Sequence, residues 1–305
     1  MADFLHELPK AELHLHLEGS IEPETLHELD PSTPVQDFRA LYQYENFDGF
    51  LKAFGVIGKR LRTPEDYALI TRRLLERLAA QNVQYAEIIV AAGVVLWKEQ
   101  EFAPIFDAIH AAAAESNVEV RWIFDAVRQF GVEAAQRVAE WAVERQDRGV
   151  VALGIGGSEE RGPAEWFTGV YAFAGNAGLH LLAHAGESMG PESIWAALAL
   201  GAERIGHGIA AIRDEALMRH LRERDIPLEV CITSNLVTGV VARLEEHPVR
   251  RLYDAGVPIV LNTDDPAMFG CTLTGEYELA ARAFGFSESE LRGIAENGFR
   301  YRFAK

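Results

Sequence analysis

Four short segments carry residues able to do chemistry together: HLHLEGS with His14 and His16, HAGE with His184 and Glu187, RIGHG with His207, and NTDDPA with Asp264 and Asp265. Neutral imidazole nitrogens and a carboxylate suit a borderline cation such as zinc, whose catalytic sites keep one position open for water. His14, His16, His184 and Asp264 supply three imidazoles and one carboxylate, while His207 is placed to hold a bound water instead of the metal. Taken singly these residues are ordinary: an isolated His is a hydrogen-bonded core residue, and Asp-Asp-Pro opens a turn or a helix. The other six histidines, His6, His27, His110, His180, His220 and His247, fall in helix, turn or strand-start contexts and read as structural or surface.

What binds the four segments together is their place in the chain's rhythm. Strand-like apolar runs at Glu12–His16, Gln84–Val90, Val118–Asp125, Val150–Gly156, Leu179–His184, Arg204–His207, Pro227–Thr233 and Pro258–Thr263 alternate with helical stretches such as Tyr67–Gln81, Val132–Arg145 and Asp214–Glu223. Several runs are apolar on consecutive positions, as parallel strands covered on both faces are. Eight such alternations predict an α/β fold, a (β/α)8 TIM barrel, in which chemistry sits at the C-terminal ends of the strands. The first, fifth and sixth runs end on or near His14, His16, His184, Glu187 and His207; Asp264 and Asp265 follow the eighth, and Ser234 and Asn235 the seventh. Residues two apart in a strand point the same way, so His14 and His16 can share the barrel axis. Gly154, Gly156 and Gly157 close the fourth run, where backbone can approach a ligand.

One stretch, about 21–63, breaks the alternation with Pro23, Pro31, Pro34, Tyr42, Tyr44, Phe47 and Phe50. It reads as an insertion after the first strand, either closing over the barrel mouth or decorating its side. No linker divides the chain, so residues 1–305 are expected to form one domain.

Composition removes other classes. The 305 residues carry 46 acidic against 29 basic side chains, a formal charge of −17. Phosphate-backbone binding needs clustered Lys and Arg, and no such cluster occurs, which argues against a nucleic-acid polymer or an anionic membrane surface as partner. No run approaches the roughly 18 apolar residues of a spanning helix, and the N-terminus does not read as a signal peptide. Two cysteines, Cys231 and Cys271, build no disulfide framework, so a cytoplasmic location is expected.

Together the motifs, in order over residues 8 to about 275, resemble the adenosine/adenine deaminase family of metal-dependent amidohydrolases. The resemblance implies one zinc ion per chain on His14, His16, His184 and Asp264. Glu187 matches the acid that hydrogen-bonds purine N1 and shuttles protons, His207 the residue that orients the attacking water, and Asp265 the one that meets purine N7. Gly157 matches a backbone contact to purine N3, and His16 and Glu18 also fall in the substrate pocket. The implied reaction replaces the amino group of a 6-aminopurine by oxygen and releases ammonia.

Within that family, adenosine-specific members usually read H-L-D-G, with the aspartate near the ribose 5′-hydroxyl; here Glu18 stands instead. Relatives with H-L-E-G include adenine deaminases and deaminases of 6-aminodeoxyfutalosine, an adenosine-like nucleoside bearing an aromatic acid beyond the ribose. Gly206 stands where adenine-specific members tend to carry an acidic residue, which argues for room for a sugar. Adenosine and 6-aminodeoxyfutalosine therefore rank ahead of free adenine. Two other classes remain: a different amidohydrolase reaction on the same barrel, and a binding protein that has lost catalysis. The first often needs a carboxylated lysine bridging two metals, and no candidate strand ends in Lys; the second is expected to lack a ligand or the proton shuttle, and none is missing.

Overall fold

Eight parallel strands form a barrel in this computed structural model, which describes residues 1–303. They are β1 (Lys10–His16), β2 (Val83–Val90), β3 (Glu119–Val127), β4 (Val150–Gly156), β5 (His180–Ala185), β6 (Arg204–His207), β7 (Leu228–Val230) and β8 (Ile259–Leu261), hydrogen-bonded in chain order. The seam between the last and first strands closes through Asp264. Its N–H donates to the His14 carbonyl at 3.0 Å, and the His16 N–H donates to its own carbonyl at 2.8 Å. Two predicted ligand segments are thus stitched together by backbone.

The strands are buried on both faces, which explains their near-continuous apolar runs. Helices cover the outside. Pro64–Ala79 shows why they form: Thr63 and Asp66 make a capping box, Pro64 takes the first turn, and Tyr67, Ile70, Leu74 and Leu78 line one buried face. Inside the barrel, Ile89, Ile123, Ala152 and Leu182 pack as a layer. Asp125 and His184 stand two residues further along their strands, so they project into the space above that layer. β1 carries one extra residue relative to β2 between Glu12 and Leu15. A bulge of this kind re-aims side chains.

The predicted strands are present with shifted ends, and the seventh differs most. The run predicted over Pro227–Thr233 pairs only over Leu228–Val230, and Ile232–Val237 is a helix. The cause is a distant carboxylate: Glu276 accepts hydrogen bonds from the N–H groups of Ile232 (2.9 Å) and Thr233 (3.2 Å), partners the turn would otherwise lack. Ser234 and Asn235 therefore ride on a short helix at the barrel mouth. Between β1 and the Pro64–Ala79 helix, the segment predicted as an insertion holds three helices, Pro23–Leu29, Val35–Leu41 and Phe47–Gly58. Among the described residues no helix is long and apolar enough to cross a membrane.

Candidate active site

His14, His16, His184 and Asp264 meet at the C-terminal end of the barrel. Asp264 Oδ1 lies 3.3 Å from both His14 Nε2 and His16 Nε2, and His16 Nε2 lies 3.1 Å from His184 Nε2. The partners of the opposite ring nitrogens fix what these atoms carry. His14 Nδ1 bonds the Glu229 carboxylate at 2.7 Å and His184 Nδ1 the Ile155 carbonyl at 3.1 Å. Both partners only accept, so in the neutral rings Nδ1 holds the proton and Nε2 turns a lone pair inward. Such outer bonds are the usual support of metal-ligating imidazoles.

His14 Nε2 is fully enclosed and has no hydrogen-bond partner. A lone pair facing a carboxylate at 3.3 Å repels unless a positive charge sits between them. Burial opposes a charged His14, yet Asp264 and Glu229 outweigh it and raise its pKa to about 10. Burial likewise works against the Asp264 carboxylate, but the His14 and His16 rings 3.3 Å away hold it well below the ordinary range. The pocket is built around a positive centre, and its donors, three imidazoles and a carboxylate, fit a single metal ion. His207 sits on the other side of Asp264: its Nε2 is 3.8 Å from Oδ2, the oxygen to which Ser234 Oγ donates at 2.7 Å.

Backbone geometry at this point is unusual. His207 and Asp264 both adopt left-handed conformations, with φ of 59° and 65°. Such conformations cost energy in non-glycine residues and cluster at functional sites. Gly19 shows the crowding, because a Cβ there would lie 1.7 Å from Asp265 Oδ1.

Glu187 and Asp265 face the same cavity, which encloses about 260 Å³. Burial, then the Asp264 charge, pushes both carboxyls well above the ordinary range. Each is therefore predisposed to carry a proton. Glu187 Oε2 stands 3.7 Å from His207 Nε2. Gly157, at φ 87°, also lines the cavity. Glu18 is buried but not among the lining residues; its carboxylate accepts from the Ala91 N–H at 3.2 Å, and Ala91 lines the wall. Burial raises its pKa to about 7.

Two glycine readings change. A Cβ on Gly206 would lie 2.8 Å from His14 Cε1, so the missing side chain makes room for a ligand ring, not a sugar. At Gly156 a Cβ would lie 2.7 Å from Asp125 Oδ2 and 3.3 Å from His184 Cε1. Site side chains, not a ligand, occupy that space.

Three buried residues escaped the sequence reading. Asp125 lines the cavity, and its Oδ1 has no partner. Its signal was available, since it lies near the end of a strand like the other site residues. Glu159 accepts from the N–H groups of Gly186, Glu187 and Ser188 at 2.8–3.0 Å and so holds the loop bearing Glu187. Arg128 donates to the His184 carbonyl and, at 2.8 Å, to that of Gly162. The last two act through loops far away in sequence, which local pattern does not reveal.

A parallel eight-stranded barrel with this donor set defines a metal-dependent hydrolase of the amidohydrolase type. The family model for adenosine deaminase matches residues 9–305, and the chain belongs to that family, a hydrolytic deaminase. It is 40% identical to an aminodeoxyfutalosine deaminase of Streptomyces coelicolor, over 98% of this chain and 81% of the relative. An adenine deaminase structure from Arthrobacter aurescens superposes with a TM-score of 0.92 at 29% identity, covering 98% and 94% of the two chains. An amidohydrolase from Burkholderia ambifaria with bound Zn does so with 0.91 at 26% identity, covering 100% and 88%.

Proposed function

We propose that the chain deaminates a 6-aminopurine nucleoside with one zinc ion, and that 6-aminodeoxyfutalosine is its preferred substrate, ahead of adenosine and free adenine. The observation that carries this reading is the outer wall of the cavity. Phe47, Phe50, Leu51 and Phe54 on one side and Val94, Trp97, Val127 and Phe130 on the other extend it beyond the polar centre. A free base uses none of that wall, and a ribose 5′-hydroxyl gains little from it. An aromatic group beyond the ribose gains both burial and ring contacts, each worth about 1 kcal/mol or more. The Streptomyces coelicolor relative supports the same reading.

Zinc held by His14, His16, His184 and Asp264 supplies a Lewis acid that makes water ionisable near neutral pH. The protein's own groups do the rest. Purine N1 and N7 both present lone pairs, so each needs a donor. Glu187 and Asp265, whose protonated forms burial favours, meet that need. Protonation of N1 by Glu187 lets the ring take up the electron pair as oxygen adds to C6. His207 holds the attacking oxygen on the side facing Glu187. A proton then passes to the amino group, the C6–N bond breaks, and ammonia leaves behind a 6-oxopurine.

Deamination of 6-aminodeoxyfutalosine, adenosine and adenine, followed side by side by absorbance with zinc-loaded enzyme, tests the reading. The expected order of kcat/KM is the order just given. A higher value for free adenine overturns it in favour of an adenine deaminase.

A further inference from the structure

We propose that Asn235 and His247 are positioning residues that lock His207 into the tautomer with its proton on Nε2, and that the Val249 backbone N–H sets the direction of the whole chain. His247 read as structural or surface in the sequence. It is in fact buried, and its two ring nitrogens are both engaged.

The deduction starts from the one member whose role is beyond choice. A backbone N–H can only donate, and that of Val249 points at His247 Nδ1, 3.2 Å away. His247 Nδ1 therefore accepts, and the neutral ring must carry its proton on Nε2. That Nε2 lies 3.2 Å from Asn235 Oδ1, which accepts. The amide orientation, otherwise ambiguous, is thereby fixed, and Asn235 Nδ2 points at His207 Nδ1, 3.1 Å away. Nδ2 donates, so His207 Nδ1 accepts and the proton of the neutral ring resides on Nε2. All three side chains are buried, so water does not compete for these bonds. Burial also disfavours the charged form of His247 and of His207.

The consequence separates His207 from the metal ligands. In His14 and His184 Nδ1 carries the proton and donates it to an acceptor, and the lone pair on Nε2 faces inward. In His207 the pattern is reversed: Nε2 presents an N–H to the space between Glu187 Oε2 at 3.7 Å and Asp264 Oδ2 at 3.8 Å. With no lone pair on Nε2, His207 neither joins the metal's ligands nor takes a proton from the attacking water. It donates a hydrogen bond to the attacking oxygen, and the water's proton goes to the Glu187 carboxylate once Glu187 has given its own proton to N1. The kinetic part of this inference rests on the deaminase reading; the tautomer itself does not.

The test uses zinc-loaded enzyme labelled with ¹⁵N-histidine. Long-range proton–nitrogen correlation spectra report which nitrogen of each ring is protonated, and His207→Gln identifies the His207 signals. The expected wild-type result is a protonated Nε2. Asn235→Asp, nearly isosteric, replaces the donor by an acceptor and is expected to move the His207 proton to Nδ1. With adenosine or 6-aminodeoxyfutalosine as substrate, kcat should then fall about 10-fold or more while KM stays within about 2-fold. His247→Phe should lower kcat in the same way, and His247→Gln, which restores a side-chain N–H toward Asn235, should recover most of it. A wild-type His207 protonated on Nδ1 overturns the inference, as does an unchanged His207 tautomer in Asn235→Asp. Finding the Nε2 proton in an enzyme that deaminates none of the three purines would sink the functional reading and leave this one standing.

Discussion

The spacing of single atoms decides what this site accepts. Asp125 is the clearest case: the residue lines the cavity, and its Oδ1 is buried without a partner. Leaving such a group unpaired costs free energy that a substrate hydroxyl can offset. Burial raises the Asp125 pKa to about 8, so the bond is one to a neutral carboxyl, and Asp125→Ala is expected to raise KM for adenosine and 6-aminodeoxyfutalosine about 5-fold, with no change for free adenine. Equal effects on all three substrates in steady-state assays would remove Asp125 from sugar recognition. Gly206 works by absence. A methyl there would lie 2.8 Å from His14 Cε1 and 3.2 Å from the His184 backbone, so the ring must move. Gly206→Ala is expected to lower zinc affinity about 10-fold or more, as displacement of a ligand's support does, measured by competition with a chelator. Retained affinity would mean that the ring can shift without cost to the metal.

At the scale of elements, strand ends deliver the polar residues and the Phe47–Gly58 helix delivers the apolar wall. Asn46 caps that helix by accepting from the Gly49 N–H, and Phe50 packs at 5.0 Å from Phe269, on the short helix that follows Asp265. Phe54 lies 6.4 Å from the His16 ring, so the wall begins at the metal centre. Phe54→Ala removes a large apolar face from the cavity. It should raise KM for 6-aminodeoxyfutalosine about 10-fold, while free adenine changes about 2-fold at most. A uniform loss across substrates would assign the helix to folding and not to recognition. The strands themselves were legible because parallel strands buried on both faces leave continuous apolar runs; β3 and β5 lie within two residues of their expected ends. The seventh was misread because Ile232 and Thr233 are compatible with a strand until Glu276 caps them from over forty residues away. His247 reads as structural or surface, and the structure buries it; its partners were not legible for a similar reason. Nothing near it in sequence shows that Asn235 and Val249 engage both its nitrogens.

Across the whole molecule, a formal charge of −17 coexists with carboxyls buried beneath the barrel mouth. Glu276 bonds no metal ligand directly; its partners are Ile232 and Thr233. Burial raises its pKa from 4.5 to about 7, against the pull of its bonds to Thr233 and Ile232. Between those two values the folded chain holds a proton that the unfolded chain has released. Stability from this group is therefore full below pH 4.5, falls as pH rises through the window, and levels off above pH 7, a span of at most about 3 kcal/mol. Glu276→Gln cannot titrate, and its altered bonds to Ile232 and Thr233 add an offset that does not vary with pH. Denaturant unfolding of both proteins at matched pH values between 4.5 and 8 isolates the effect. Contributions from the metal site and from surface charge are common to the two chains and cancel in the difference. Relative to wild type, the variant should be least favoured at pH 4.5 and gain up to about 3 kcal/mol by pH 8. Parallel curves would show that Glu276 stays ionised in the fold, held by its two backbone N–H partners against the cost of burial.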